Sequence, residues 1–293
     1  MPELGKPIAR LWAAAAVAAL LGAVTFFWPG LEVLNHSLKV VAYSVALGYW
    51  MKIAGDHPQR STMRVAWLLL AWSSGISIAR HAFELAIHFG NWPLSISSFR
   101  QIPTVLALVM LTGGLFAIWF GFAAIGLGSR FRTSDAIWIA AVVAFVPYLF
   151  SLRENMVDAK SPYVLIRQLQ SLSPVLLAAP ALIALLLHRI EQDMRGGQLA
   201  NSLRLVVAYL VLRLVAMLIM ISPGLMNLAL PRMIAGAAGW GAIWLFTLAA
   251  AYRWRLTLSA RELIRRYQAD PETELAGLSQ MLLAGTSEEA TLK

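Results

Sequence analysis

The recurrence of long apolar runs is the feature that most constrains how this chain can fold. A helix needs about 20 mostly apolar residues to cross a bilayer. Only 13% of the 293 residues are charged, which is too few to cover the surface of a soluble protein of this size. We therefore predict an all-α integral membrane protein, a polytopic bundle of eight transmembrane helices. The predicted spans are 10–28, 33–54, 64–89, 102–127, 135–151, 163–188, 203–222 and 231–252.

The loops between these runs alternate in their content of basic residues. Most of the 24 Lys and Arg residues fall on one side if the eight spans are correct, and positive residues favour the cytoplasmic side. This predicts that the N- and C-termini are both cytoplasmic and that the protein lies in the bacterial cytoplasmic (inner) membrane. The net charge of +9 then reflects orientation in the lipid bilayer, and no nucleic acid is expected as a partner.

Two regions follow from the span assignment. Residues 1–256 form the predicted transmembrane eight-helix domain, and the first run ends in Phe-Phe-Trp-Pro rather than in a signal-peptide cleavage site. Residues 257–293 form a short cytoplasmic amphipathic C-terminal tail, which continues the eighth helix. Such a tail can dock a partner membrane subunit or a cytoplasmic protein.

Ionisable residues interrupt the second and third spans near the predicted outer surface. They occur in "LEVLNHSLKVVAY" and "ARHAFELAIH", and in each segment three of them are spaced i, i+3, i+7, which places them on one helix face. The residues of this predicted outer cluster are His36, Lys39, Tyr43, Arg80, His81, Glu84 and His88.

The two segments should meet, because the second and third spans form an antiparallel hairpin. Residues at equal depth on two antiparallel helices have residue numbers with a constant sum. This rule pairs Lys39 with Glu84, His36 with His88, and Tyr43 with Arg80 or His81. Isolated charges in a bilayer cost roughly 2.5–3.5 kcal/mol each on insertion scales, so such residues are usually paired. A Lys39–Glu84 pair that only locks the hairpin is the structural alternative to a ligand pocket, and snorkelling of both side chains to the interface is another.

Arg213 lies in the middle of the seventh span, where snorkelling is difficult. We expect it to meet an anionic head group, a substrate, a backbone carbonyl or a carboxylate of a partner subunit. The eighth span contains Gly236, Gly239 and Gly241, which fit either close helix packing or a gap for a ligand.

Three functions remain open at this point. The favoured one is a multi-pass membrane protein that binds a small ligand, lipid or quinone in an outer-leaflet polar pocket, as a sensory or accessory subunit. The second is a redox subunit that uses His36, His81 or His88 for haem b or quinol. The third is a transporter or lipid-handling enzyme, in which Arg213 and Pro-marked helices line a pathway.

Whether the chain is an enzyme, and which cofactor it uses, stay undetermined by sequence. The absence of cysteine excludes thiolate metal sites and a Cys nucleophile. The histidines have the ligand type of haem or a metal ion, but their spacing matches no strong zinc signature.

Overall fold

A computed structural model describes residues 31–90, 99, 101–128, 173–194 and 198–269, together with isolated positions elsewhere. The predicted spans at 10–28 and 135–151 lie outside these described ranges, as do 163–172 and 270–293 of the predicted sixth span and tail. Within the described ranges the chain is helical and contains no strand.

Six long helices and one single turn make up the described structure. The long helices coincide with six of the predicted spans, although α7 continues well beyond the predicted end at residue 252. Their bounds are α1 Glu32–Gly55, α2 Thr62–Gly90, α3 Gln101–Ala123, α4 Ser173–Asp193, α5 Gln198–Ile221, the short α6 Pro223–Met226 and α7 Ala229–Ala269.

Four of these helices are long and apolar enough to cross a membrane, which indicates a membrane protein. The qualifying segments are Thr62–Gly90, Ile102–Ala123, Leu199–Met220 and Ala229–Glu262. Helix α1 is not among them, since His36, Lys39 and Lys52 dilute its apolar residues. Helix α4 is also not among them.

The long helices form a closed ring. Going round it, α1 packs on α2, α2 on α3, α3 on α4, α4 on α5, α5 on α7, and α7 returns to α1. At one end, here called the basic face, α1 ends and α2 begins, and the Gly128 amide beyond α3 donates to Asp193 Oδ2 of α4 at 2.7 Å. At the other end, the opposite face, α2 and α5 end while α1 and α7 begin.

A line of aromatic side chains in mutual contact lies at the centre of the helix ring. Trp50 of α1 stacks on Trp67 of α2, with ring centroids 5.3 Å apart and planes 6° from parallel. Phe246 of α7 contacts both Trp50, at 5.5 Å, and Tyr209 of α5, at 4.9 Å. Offset and tilted aromatic contacts add to the packing energy, so these rings tie four helices together.

Small and hydroxyl side chains bring neighbouring helices close together. Ser73 Oγ of α2 donates to the Ala107 carbonyl of α3 at 2.8 Å, and Thr247 Oγ1 of α7 donates to the Ala42 carbonyl of α1 at 3.1 Å. Such contacts replace the hydrophobic drive that helices lack in lipid.

Helix α7 is much longer than the hydrocarbon core of a bilayer is thick. Its 41 residues span about 60 Å at 1.5 Å per residue, which is roughly twice the hydrocarbon thickness. It runs unbroken through the predicted boundary at 256–257. At the basic face, Arg261 forms an ion pair with Asp56 in the α1–α2 connection, so the extension is anchored to the bundle.

Gly114 of α3 allows the close approach of α2 and α3. A Cβ at this position would lie 3.0 Å from both the Ala66 carbonyl oxygen and Leu70 Cδ2. We expect Gly114→Ala to destabilise the protein by about 1–3 kcal/mol through overpacking. Gly48→Ala is the matched control, because Gly48 has no atom within 4 Å of an added Cβ. The unfolding midpoint, followed by tryptophan fluorescence, should fall only for Gly114→Ala, and equal midpoints would contradict this account.

Candidate functional site

A cavity of about 200 Å³ lies between α1, α2, α5 and α7. Its apolar wall comes from α5 and α7 and includes Met217, Met220, Gly236 and Gly239. Most of its polar wall comes from residues named by the sequence analysis, and we call it the cationic cavity. The polar side chains from α1, α2 and α5 include Asn35, Lys39, Tyr43, Arg80, His81 and Arg213.

The cationic cavity lies within the helical bundle, on the side of the opposite face. Lys39, Arg213 and Trp240 stand about 10 Å, 12 Å and 17 Å along the helix axes from the ends of α1, α5 and α7 at that face. His81 lies at a similar depth in α2 and is only 5% exposed. Ionisable side chains from separate helices therefore lie at similar distances from the opposite face.

Tyr209 orients Arg213. Arg213 Nη1 donates to the Tyr209 hydroxyl at 2.7 Å, one turn earlier on the same helix, and the guanidinium lies 5.9 Å from the Tyr209 ring centroid. Tyr43 of α1 lines the same cavity. The hydrogen bond to Tyr209 therefore holds Arg213 at the cavity.

Lys39 and Trp240 meet across α1 and α7. The Lys39 ammonium lies 5.6 Å from the centroid of the Trp240 ring, a cation–π contact. Trp240 is only 4% exposed, and its Nε1 has no hydrogen-bond partner among the described residues. Asn35 Oδ1, also at the cavity, lacks a partner within the same set of residues. Buried polar atoms normally find partners, but Nε1 of Trp50 and of Trp67 in the packed centre also lacks one among the described residues, so these atoms by themselves do not indicate a ligand.

His81 joins the two helices of the predicted hairpin. Its Nδ1 lies 3.0 Å from His36 Nδ1, and the Tyr43 ring stacks on its ring at 5.9 Å between centroids and 17° between planes. One nitrogen of the His36–His81 pair must donate and the other must accept, so both rings cannot be doubly protonated. The Tyr43–His81 contact is one that the register predicted.

A second, smaller cavity of about 120 Å³ lies next to the first. His36, Glu84 and His88 line it, and we call it the histidine cavity. The register paired Lys39 with Glu84, but the two side chains line different cavities. The hairpin register could not anticipate this, because Trp240 and Arg213 come from α7 and α5.

The histidines do not form a metal-binding arrangement in the described part of the chain. No group of three or more His, Asp or Glu residues there is placed to hold a metal ion. Two imidazole nitrogens on one tetrahedral metal lie roughly 3.3 Å apart, given bonds of about 2.0 Å. The His36–His81 separation of 3.0 Å instead fits a direct hydrogen bond.

A third cavity, of about 490 Å³, lies near the basic face and is mainly apolar. The charged side chains that line this third cavity form hydrogen bonds with one another. Arg204 donates two hydrogen bonds to Glu191 Oε1, at 3.0 and 2.7 Å, and His188 Nδ1 lies 2.8 Å from Glu191 Oε2. This network joins α4 to α5, and we assign it a structural role.

Residues missed by the sequence analysis complete the cationic cavity. Asn35 precedes Lys39 by one helical turn, and Tyr209 precedes Arg213 by one turn, so i, i+4 spacing carried a signal for both. Trp240 lies within an apolar run, where a tryptophan gives no signal of a site, and only the packing of α7 against α1 places it at the cavity. Gly236 and Gly239 were singled out as a possible gap for a ligand, and both line the cavity.

Comparison with known proteins does not identify this site. The chain matches no known protein family, and no curated protein or solved structure shows significant similarity to it.

The Arg213–Tyr209 hydrogen bond can be tested directly. Tyr209→Phe removes the acceptor of a buried charged donor, which should cost roughly 1.5–3 kcal/mol and lower the unfolding midpoint by about 3 °C or more. Tyr252→Phe is the control, because Tyr252 is equally buried but its hydroxyl has no hydrogen-bond partner among the described residues. An unchanged midpoint for Tyr209→Phe would show that the bond contributes nothing.

Proposed function

We propose that this chain is an eight-span protein of the bacterial cytoplasmic membrane, with both termini in the cytoplasm. Its function is to bind a small ligand, lipid or quinone in an outer-leaflet pocket, as a sensory or accessory membrane subunit. The cationic cavity is that pocket, and its ligand contacts come from Lys39, Tyr43, Arg80, His81 and Arg213. His36, Glu84 and His88 form the adjoining histidine cavity.

The convergence of three cations on one intramembrane cavity carries this proposal. On insertion scales Lys39, Arg80 and Arg213 together cost about 7.5–10.5 kcal/mol before compensation, which is comparable to the entire stability of a typical domain. Locking one hairpin would need only a single ion pair. Intramembrane ionisable groups of this kind generally mark a binding site or a pathway.

The size of the cavity favours recognition of part of a ligand. Pockets for whole drug-sized molecules occupy about 300–1,000 Å³. The cationic cavity, at about 200 Å³, suits a head group or a ring while the remainder of the ligand extends into lipid. Haem is larger than this space, which makes the haem version of the redox hypothesis less well supported than binding.

Helix directions support the proposed topology. The Gly128–Asp193 hydrogen bond places the ends of α3 and α4 at the same face, so these two helices run in the same direction. A crossing by 135–151, the predicted fifth span, would account for this. Among the described residues outside the cationic cavity, Arg60, Arg204 and Arg261 lie towards the basic face and Arg232 towards the opposite face.

Filling the pocket should abolish binding. Gly239→Leu puts a side chain into the cavity, whereas Gly48→Leu adds the same side chain at an exposed helix surface. We expect wild type and Gly48→Leu to retain a lipid or quinone after extensive washing in detergent, and Gly239→Leu to lose it, as measured by mass spectrometry of organic extracts. Met220→Trp, at the half-exposed edge of the cavity, should give the same loss without touching the centre. Equal retention by all variants would refute the pocket.

Orientation can be measured because the chain lacks cysteine. A single cysteine at Asn227 should react with an impermeant maleimide in intact spheroplasts, because this exposed residue lies at the opposite face. A cysteine at Gln59, exposed in the α1–α2 connection, should react only after permeabilisation. The reverse pattern would overturn the cytoplasmic assignment of the basic face.

A further inference from the structure

The groups that face the cationic cavity are strongly biased towards hydrogen-bond donors. The Lys39, Arg80 and Arg213 side chains carry donors only. These three residues come from α1, α2 and α5. Asn35 contributes an amide that can act as donor or acceptor.

Charge balance makes an anion the matching occupant. No Asp or Glu of the described chain lines the cationic cavity, and the nearby Glu84 lines the histidine cavity. One carboxylate offsets at most one of the three cations, whatever its geometry. A net positive charge in a low-dielectric region attracts an anion much more strongly than the same charge in water does.

The number and spread of the donors favour a phosphate over a carboxylate. Three cationic donor groups line the cavity from three different helices, and a phosphodiester presents its two non-bridging and two bridging oxygens in tetrahedral directions. A carboxylate has only two oxygens in one plane. Arginine and lysine are also the usual phosphate ligands, the first through its planar fork and the second as a point charge.

The remaining wall of the cavity is apolar and leads towards lipid. Ala216, Met217 and Met220 of α5 face Ala235, Gly236 and Gly239 of α7. Met220 is 48% exposed, so this strip of the wall reaches the outside of the described bundle. Methionine adapts to flexible chains, and glycine leaves room beside the helix backbone.

From these observations we infer that the cationic cavity recognises the phosphate group of an anionic membrane lipid, whose hydrocarbon chain leaves between α5 and α7. This inference rests on the proposed function and specifies its ligand class. The Lys39, Arg80 and Arg213 side chains donate to the phosphate oxygens. Met217, Met220 and Gly236 contact the first part of the chain.

The experiment measures thermal unfolding of the full-length protein in detergent, with added lipids of identical acyl chains. Phosphatidylglycerol should raise the midpoint by about 5 °C or more at roughly 100 times its dissociation constant. Phosphatidylcholine, whose phosphate is neutralised by choline, should raise it much less. Inorganic phosphate and glycerol phosphate form separate arms, which distinguish a lipid from a soluble phosphate as the source.

Charge variants show whether the effect arises at the cavity. Arg213→Gln and Lys39→Gln should each weaken the apparent affinity for phosphatidylglycerol roughly tenfold or more, and Arg213→Lys should recover part of it. Arg232→Gln is the matched control, since Arg232 lies at the same face but outside the cavity. It should leave the affinity unchanged, which excludes a general attraction of acidic lipid to the surface.

The possible outcomes separate this inference from the proposed function. If phosphatidylcholine or a quinone stabilises the protein as well as phosphatidylglycerol does, and Gly239→Leu removes that effect, the pocket stands and the phosphate assignment is wrong. Stabilisation by glycerol phosphate alone supports phosphate recognition and overturns the lipid source. If no lipid or phosphate acts on wild type and Gly239→Leu also leaves retained ligand unchanged, both proposals fail.

Discussion

The scarcity of polar partners inside a membrane is the constraint on which this structure depends. Backbone groups there must bond within helices, and charged side chains must find a partner or a polar cavity. The ring of six helices meets the first demand through intrahelical hydrogen bonds. The need of charged side chains for a polar environment is met because Lys39, Arg80 and Arg213 all line one cavity. The packing of the helices into a ring therefore also forms the cavity.

The bundle has two layers along the helix axes, one packed with aromatic rings and one lined by charged side chains. Trp50, Trp67 and Phe246 fill the centre and fix the spacing of α1, α2 and α7. Tyr209 belongs to both layers, since its ring packs on Phe246 and its hydroxyl accepts from Arg213. The packed aromatic layer thus supports the polar side chains, and this support would hold the donors of the proposed binding site in place.

The two ends of the bundle use charge differently. At the basic face Glu191 accepts from Arg204 and His188, and Asp56 pairs with Arg261, so cations and carboxylates neutralise each other where water is near. In the cationic cavity the described residues supply cations without a carboxylate in the wall. Ion pairs of the first kind stabilise helix connections. The excess of cations in the second kind is the feature on which the proposed site for an anionic ligand rests.

The sequence by itself determined the helical class, membrane residence and the positions of six described helices, because a run of apolar residues needs no tertiary information to be recognised. It also identified Lys39, Arg80, His81 and Arg213 as unusual, since charge in such a run is rare. Which of these residues meet was decided only by tertiary structure. Arg213 and Trp240 belong to α5 and α7, far along the chain from the hairpin, and no spacing rule encodes the order of helices around a ring. For the same reason the sequence paired Lys39 with Glu84, whereas packing of α7 against α1 placed Lys39 on Trp240.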